Sequence, residues 1–139
     1  MQRISQRIDG FHGFAVQFSP FDPDRLICAA SAHFGVIGTG CLFVLRTDMH
    51  GRVMRELRRI PSSHGLFDAT WSEWAPSQVL MGGASGALEL WDVDSAKVCG
   101  VFKCYRRDVC RMSPFMFGRS PMNEMFKASD GIRWIRCFS

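Results

Sequence analysis

The sequence lacks the patterns that indicate a disulfide framework or a membrane span. It contains six cysteines, but no C-x-x-C pair, and Cys99, Cys104 and Cys110 have four and five residues between them. No signal-like apolar stretch opens the chain, so free thiols in a cytosolic protein are the expectation. No apolar run approaches the roughly 20 residues that a transmembrane helix needs.

Signals of a catalytic or metal site are also missing. No pair of histidines, or of a histidine and a cysteine, has the spacing of zinc ligands. Serine, histidine and aspartate are all present, but no G-x-S-x-G or comparable setting surrounds them. The sequence therefore predicts a protein that is not an enzyme, with no metal and no cofactor.

Residues 62–92 have the layout of a single antiparallel blade. His64-Gly65 precedes a strand that ends at Trp71, and two further apolar strands follow, of which the last closes on Trp91-Asp92. A His-Gly pair near the start and a Trp-Asp pair at the end are the signature of a WD repeat. Trp71, Trp91 and Asp92 are therefore interpreted as structural residues of the blade.

An earlier stretch repeats this pattern. Residues 10–20 match the layout of the stretch from His64 to Trp71, and Phe18 occupies the position of Trp71, 53 residues earlier. Phe18 is accordingly a further structural blade residue. Propellers usually have about four to eight blades, and three or more stacked repeats are generally needed for stability. The chain is thus predicted to be all-β, an incomplete WD-repeat β-propeller of about two blades.

Strand-like runs bounded by turn residues predict four strands in each unit. In the strand at residues 66–71, strict alternation would place Ala69 and Trp71 on one face and Leu66 and Asp68 on the other. The predicted strands are residues 14–18, 26–30, 42–45, 53–57, 66–71, 79–81, 87–91 and 98–105.

The basic charge lies at the C-terminal end of the chain. Residues 1–96 contain 8 Lys and Arg against 10 Asp and Glu, whereas residues 97–139 contain 9 against 3. This shift marks a boundary near residues 97–110. The predicted division is a lead-in over 1–9, blades over 10–105 and an irregular basic C-terminal tail over 106–139.

Three segments of the sequence stand out, which are GFHGFAVQFSPFDPDRLICAASAHFGVIGTGCLFVL, HGLFDATWSE and GALELWDV. Together they resemble the N-terminal part of a family of WD-repeat peroxins, the receptors for the type 2 peroxisomal targeting signal. The combination of FSPF, SAHFGVIGTG and GLFDATWSE is more specific than a generic WD repeat. The resemblance covers about Gly10 to Val98 and fades by Cys110, so that the tail is out of the family's register.

The resemblance implies a peptide-binding import receptor that shuttles between cytoplasm and peroxisome. It implies as partners the peroxisomal matrix enzymes that carry an N-terminal targeting signal, a co-receptor peroxin and docking peroxins. The signal would dock as an amphipathic helix on one face, its basic residue meeting acidic side chains. His64, Asp68 and Asp108 are the residues implied for that face, and Phe34 is a further candidate for peptide binding, as a groove residue. His64 stands where relatives often have an acid, and a histidine there weakens the attraction for a basic signal.

Blander interpretations stay open. His64 can be structural, Asp68 a solvated acid and Phe34 a residue packed on its own blade. The whole chain can be a generic WD-repeat interaction scaffold without receptor activity. The cluster Arg106, Arg107 and Arg111 beside aromatic residues suggests nucleic-acid contact, but an unselected terminus explains it better, and no nucleic-acid partner is expected.

Overall fold

The computed structural model describes residues 5–35, 38–48, 53–103, 125–128 and 131–134. Two four-stranded antiparallel sheets make up most of this part of the chain. Each sheet is a meander in which consecutive strands are neighbours. These sheets confirm the predicted all-β architecture of two WD-type blades, and each of the eight predicted strands overlaps an observed one.

The strand bounds are as follows. The first sheet contains β1 (His12–Phe18), β2 (Arg25–Ser31), β3 (Gly40–Thr47) and β4 (Met54–Ser62), with a 3₁₀ helix at Ala32–Gly35 between β2 and β3. The second sheet contains β5 (Leu66–Trp71), β6 (Gln78–Gly83), β7 (Ala87–Asp92) and β8 (Lys97–Lys103). A separate two-stranded sheet pairs β9 (Met125–Ala128) with β10 (Gly131–Trp134).

The largest hydrophobic cluster lies between the two four-stranded sheets. β2 and β3 are buried along nearly their whole length, which explains why their sequences are continuous apolar runs rather than alternating ones. Packing of the sheets therefore removes apolar surface from water on both sides of the contact. The first sheet contributes Ile27, Ala29, Leu42, Val44 and Ile60, the second sheet contributes Leu66, Ala69, Trp71, Val79 and Met81, and the turn after β7 contributes Val93.

Strict alternation in β5 fails at one position. Leu66 belongs to the same buried cluster as Ala69 and Trp71, although alternation would place it on the face of Asp68. The pairing of β5 with β6 shifts register between Leu66 and Asp68. A bulge adds one residue to a strand and reverses the faces of the side chains on one side of it. The predicted orientation of Leu66 was therefore wrong.

A second cluster covers the other face of the first sheet. Ile8 and Phe11, which precede β1, pack against this cluster, and the Phe11 ring meets the Phe43 ring edge-on at 5.5 Å. Burial raises the pKa of the Cys28 thiol, and burial raises that of Cys41 to about 11. The cluster consists of Leu26, Cys28, Ala30, Cys41, Phe43 and Leu45.

The hairpin of β9 and β10 falls within the segment 106–139, for which an irregular tail was predicted. Gly131 pairs with Ala128 and Trp134 with Met125. The rest of that segment lies outside the described residues. Among the helices of the described residues, none is both long enough and apolar enough to cross a membrane.

Candidate peptide-binding face

Three connections between strands meet at one end of the two sheets. Strands of a meander turn at alternating ends, so the β2–β3, β4–β5 and β6–β7 connections share one end. The β4–β5 connection, residues 63–65, is the linker between the two sheets, and this end is called the linker end below. It contains the 3₁₀ helix, the linker and the small-residue turn after β6.

The linker and the first residue of β5 are held by hydrogen bonds from both sheets. The Ser31 hydroxyl, at the end of β2, donates to the Leu66 carbonyl at 2.8 Å and is fully buried. The Ala84 N–H, in the turn after β6, donates to the Gly65 carbonyl at 2.9 Å. The linker thus connects the two sheets by contacts as well as by sequence.

Two glycines allow the backbone to approach this closely. A Cβ at Gly40, the first residue of β3, would overlap the His64 carbonyl and the Leu66 nitrogen. A Cβ at Gly83, the last residue of β6, would overlap the Gly65 carbonyl. Each sheet therefore presents a glycine to the linker.

Of the four residues implied for peptide binding, two have described side chains. His64 is exposed on the linker, and its backbone N–H donates to the Ser62 hydroxyl at 3.3 Å. Asp68 is half-buried on β5 near the same end, and its carboxylate accepts the Ala69 N–H at 2.9 Å. The fold brings these two residues to the linker end.

The side chains of Phe34 and Asp108 lie outside the described part of the chain. Phe34 lies in the 3₁₀ helix at the linker end, but its side chain is outside the described part of the chain. Asp108 lies outside the described residues altogether. Beside the helix, an open cleft is lined by the segment before β1 together with His12 and His33. Within the described residues, no group of three or more metal-ligating side chains exists.

Trp71 joins the second sheet to the first. Its side chain is 2% exposed, and its indole Nε1–H donates to the Gln17 carbonyl at 3.2 Å. Its backbone N–H donates to the Gln17 side-chain oxygen at 2.8 Å. Phe18, at the corresponding position of β1, is 54% exposed, because β5 packs against β1 whereas no described strand lies beyond β1.

Trp91 and Asp92 organise the end of β7. Trp91 is half-buried against the central cluster, and its indole N–H donates to the Glu89 carboxylate at 2.8 Å. The Asp92 carboxylate accepts the N–H groups of Ser95 and Asp94 at 3.0 and 2.9 Å and the Ser77 hydroxyl at 3.2 Å. The bond from the Ser95 N–H is the main cause that lowers the pKa of Asp92.

Sequence reasoning missed a repeated turn at the opposite end. Residues 19–23 and 72–76 share the pattern serine, any residue, aromatic, any residue, proline. The pattern recurs at the same 53-residue spacing as Phe18 and Trp71. Comparing the two repeats position by position would have revealed it.

Comparison with known proteins gives partial matches. No family model matches the chain. It is 40% identical over 100 residues to the peroxisomal targeting signal 2 receptor of Homo sapiens, covering 72% of this chain and 30% of that protein. It is 38% identical over 107 residues to the receptor of the same name from Saccharomyces cerevisiae, covering 76% and 28%. It is 29% identical over 82 residues to peroxisome biogenesis protein 7 of Arabidopsis thaliana, covering 59% and 26%.

The chain thus spans about 30% of the length of the curated relatives it matches. The identities agree with the blade signature of the sequence and with the two four-stranded sheets. They confirm the resemblance on which the sequence interpretation depends. This chain is a partial relative of the peroxisomal targeting signal 2 receptors, and its two sheets are blades of the WD-repeat type.

Proposed function

We propose that this chain forms part of a peptide-binding import receptor that recognises the N-terminal type 2 peroxisomal targeting signal of matrix proteins. The observation that supports this most strongly is the 40% identity to a protein named as a receptor for that signal. The proposal includes a co-receptor peroxin and docking peroxins as partners, and shuttling between cytoplasm and peroxisome. It includes no catalytic role.

The linker end is the proposed docking face. Asp68 supplies a half-buried carboxylate there, and His64, four residues earlier in the linker, supplies an exposed imidazole. A basic residue of the signal would pair with Asp68, while His64 would contribute no attraction when neutral and repulsion when protonated. Phe34 and Asp108 are proposed as further contacts of the targeting signal, which would dock as an amphipathic helix.

The affinity of this chain alone should be low. Binding hot spots need a packed and desolvated centre, and the chain spans only about 30% of the length of its relatives. The expected Kd is no tighter than about 10 μM, on a scale where 1 μM corresponds to about −8.2 kcal/mol.

Fluorescence anisotropy with a labelled type 2 signal peptide tests the proposal. His64→Asp should tighten binding by about 1.5- to 5-fold, the range expected for an exposed charge pair, and the gain should shrink at high salt. Asp68→Asn should weaken binding by a similar factor. Glu56→Gln, exposed on the outer strand β4 of the first sheet, is the matched control and should have no effect.

Three results would contradict these expectations. A nanomolar Kd for the unmodified chain would mean that two blades form far more of the site than proposed. An unchanged Kd in both His64→Asp and Asp68→Asn would place the peptide away from the linker end. A folded chain that does not distinguish the signal from a scrambled peptide would favour the alternative, a WD-repeat scaffold without receptor activity.

A further inference from the structure

The turn after β1 is built around a buried serine. Ser19 is 7% exposed, and its hydroxyl oxygen accepts the backbone N–H groups of Phe21 and Asp22 at 3.2 and 3.3 Å. The Ser19 N–H donates to the Arg25 carbonyl at 2.8 Å and closes the turn. The backbone conformation is therefore fixed by serine and main-chain groups.

The turn after β5 repeats this arrangement. Ser72 is 6% exposed, and its hydroxyl oxygen accepts the N–H groups of Trp74 and Ala75 at 3.1 and 3.2 Å. The Ser72 N–H donates to the Gln78 carbonyl at 2.8 Å. The two turns, residues 19–24 and 72–77, are called the serine turns below.

Each serine turn holds an aromatic ring in solvent. Phe21 is 47% exposed and Trp74 is 73% exposed. Each serine turn uses only the backbone N–H of Phe21 or Trp74, so its hydrogen bonding does not require an aromatic side chain. Single exposed apolar residues are common, but here equivalent positions of two successive blades both expose an aromatic ring. Tryptophan is enriched among binding hot spots, and both tryptophan and phenylalanine are enriched at protein interfaces.

Contacts between the sheets bring the serine turns to one rim. The Arg25 guanidinium, at the end of the first serine turn, forms an ion pair with Asp94 in the β7–β8 turn of the second sheet. The same guanidinium lies 5.3 Å from the centre of the Trp71 ring, one residue before the second serine turn. The rim is therefore a single surface shared by both sheets, opposite the linker end.

The described part of this rim is acidic. Six carboxylates lie in or beside its turns against four basic side chains. Two of those basic groups are already paired, Arg25 with Asp94 and Arg46 with Asp22 at 3.2 Å. The carboxylates are Asp22, Asp24, Asp48, Glu73, Asp92 and Asp94, and the basic residues are Arg25, Arg46, Arg55 and Lys97.

We propose that this rim is a second docking surface, for a cationic peptide segment of a partner protein that carries arginine or lysine next to apolar side chains. The charge of the rim favours a cationic partner. A guanidinium or ammonium group gains further attraction over the face of Trp74 or Phe21, and apolar neighbours cover the rest of each ring. The surface is distinct from the linker end, so it does not depend on recognition of the targeting signal.

Anisotropy with labelled model peptides tests the rim. A helical lysine–leucine peptide should bind, and the double variant Phe21→Ser, Trp74→Ser should weaken its binding at least 10-fold. A glutamate–leucine peptide of the same length should bind at least 10-fold more weakly than its lysine counterpart. Val101→Ser, on β8 and also exposed (55%), is the matched control. Circular dichroism melts of all variants should coincide, because the exchanged side chains are exposed.

Several outcomes would overturn the proposal. Unchanged binding in the double variant, or equal loss in Val101→Ser, would remove the role of the two rings. Equal binding of the acidic peptide would remove the role of the charge. Loss of lysine–leucine binding in Asp68→Asn would place that peptide at the linker end instead. Self-association in sedimentation velocity that the double variant abolishes would assign the rim to a second copy of this chain. Binding of the type 2 signal peptide should not respond to the double variant, which separates this test from that of the proposed function.

Discussion

Replacing Trp71 by alanine should separate the two sheets. The side chain is 2% exposed within a cluster that both sheets build, and truncation of a buried tryptophan costs about 3–5 kcal/mol. The lost indole donor also leaves the Gln17 carbonyl without its partner. Domains gain only about 0.05–0.15 kcal/mol of stability per residue, so this loss is a large share of the total for two blades.

Urea denaturation followed by circular dichroism measures the effect. Trp71→Phe should cost less, about 1–2 kcal/mol, because an aromatic ring remains while the hydrogen bond to Gln17 is lost. Trp91→Ala is the matched comparison, since Trp91 is only half-buried and its indole donates to Glu89 of its own strand. A cost below about 1 kcal/mol for Trp71→Ala, or a larger cost for Trp91→Ala, would show that Trp71 does not hold the sheets together.

Two further predictions concern ionisable groups. The pKa of Asp92 is lowered in the folded chain, so its carboxylate stabilises the fold above the unfolded pKa of about 3.9. This contribution is lost as the pH falls below that value. Asp92→Asn should therefore flatten the acid side of a curve of stability against pH, and an unchanged curve would contradict this. Burial raises the pKa values of the Cys28 and Cys41 thiols. Iodoacetamide at pH 8 should therefore modify the exposed Cys99 far faster than these two residues, as mapped by mass spectrometry. Comparable rates at the three cysteines would contradict the burial of Cys28 and Cys41.

The strands and the blade signature could be predicted because they depend on local features. The continuous apolar runs of residues 26–30 and 42–45 correctly marked strands that are buried on both faces. The repeat of Phe18 and Trp71 correctly indicated two equivalent units. Nothing in that repeat distinguished the exposure of the two residues, because burial of Trp71 depends on its packing against Gln17 of the neighbouring sheet.

Features that depend on register or on the opposite sheet could not be predicted in this way. The bulge that turns Leu66 toward the core has no strong sequence signal, since Leu66 and Phe67 are both apolar. His64 and Asp68 are close because only three residues separate them, but the placement of both beside the β2–β3 and β6–β7 connections follows from the order of strands, which residue types alone do not give. The roles proposed for these residues came from the resemblance, and they remain to be tested.

The two glycines that face the linker have a mechanical consequence. Gly40 belongs to the first sheet and Gly83 to the second, and each lies against the backbone of the same short segment, residues 64–66. Any side chain at either position would act as a wedge, widening the angle between the blades at one end. Because main-chain atoms pack against the linker on both sides, the blades should move as one rigid body. The curvature of a propeller built from such blades would then already be set by this pair of blades.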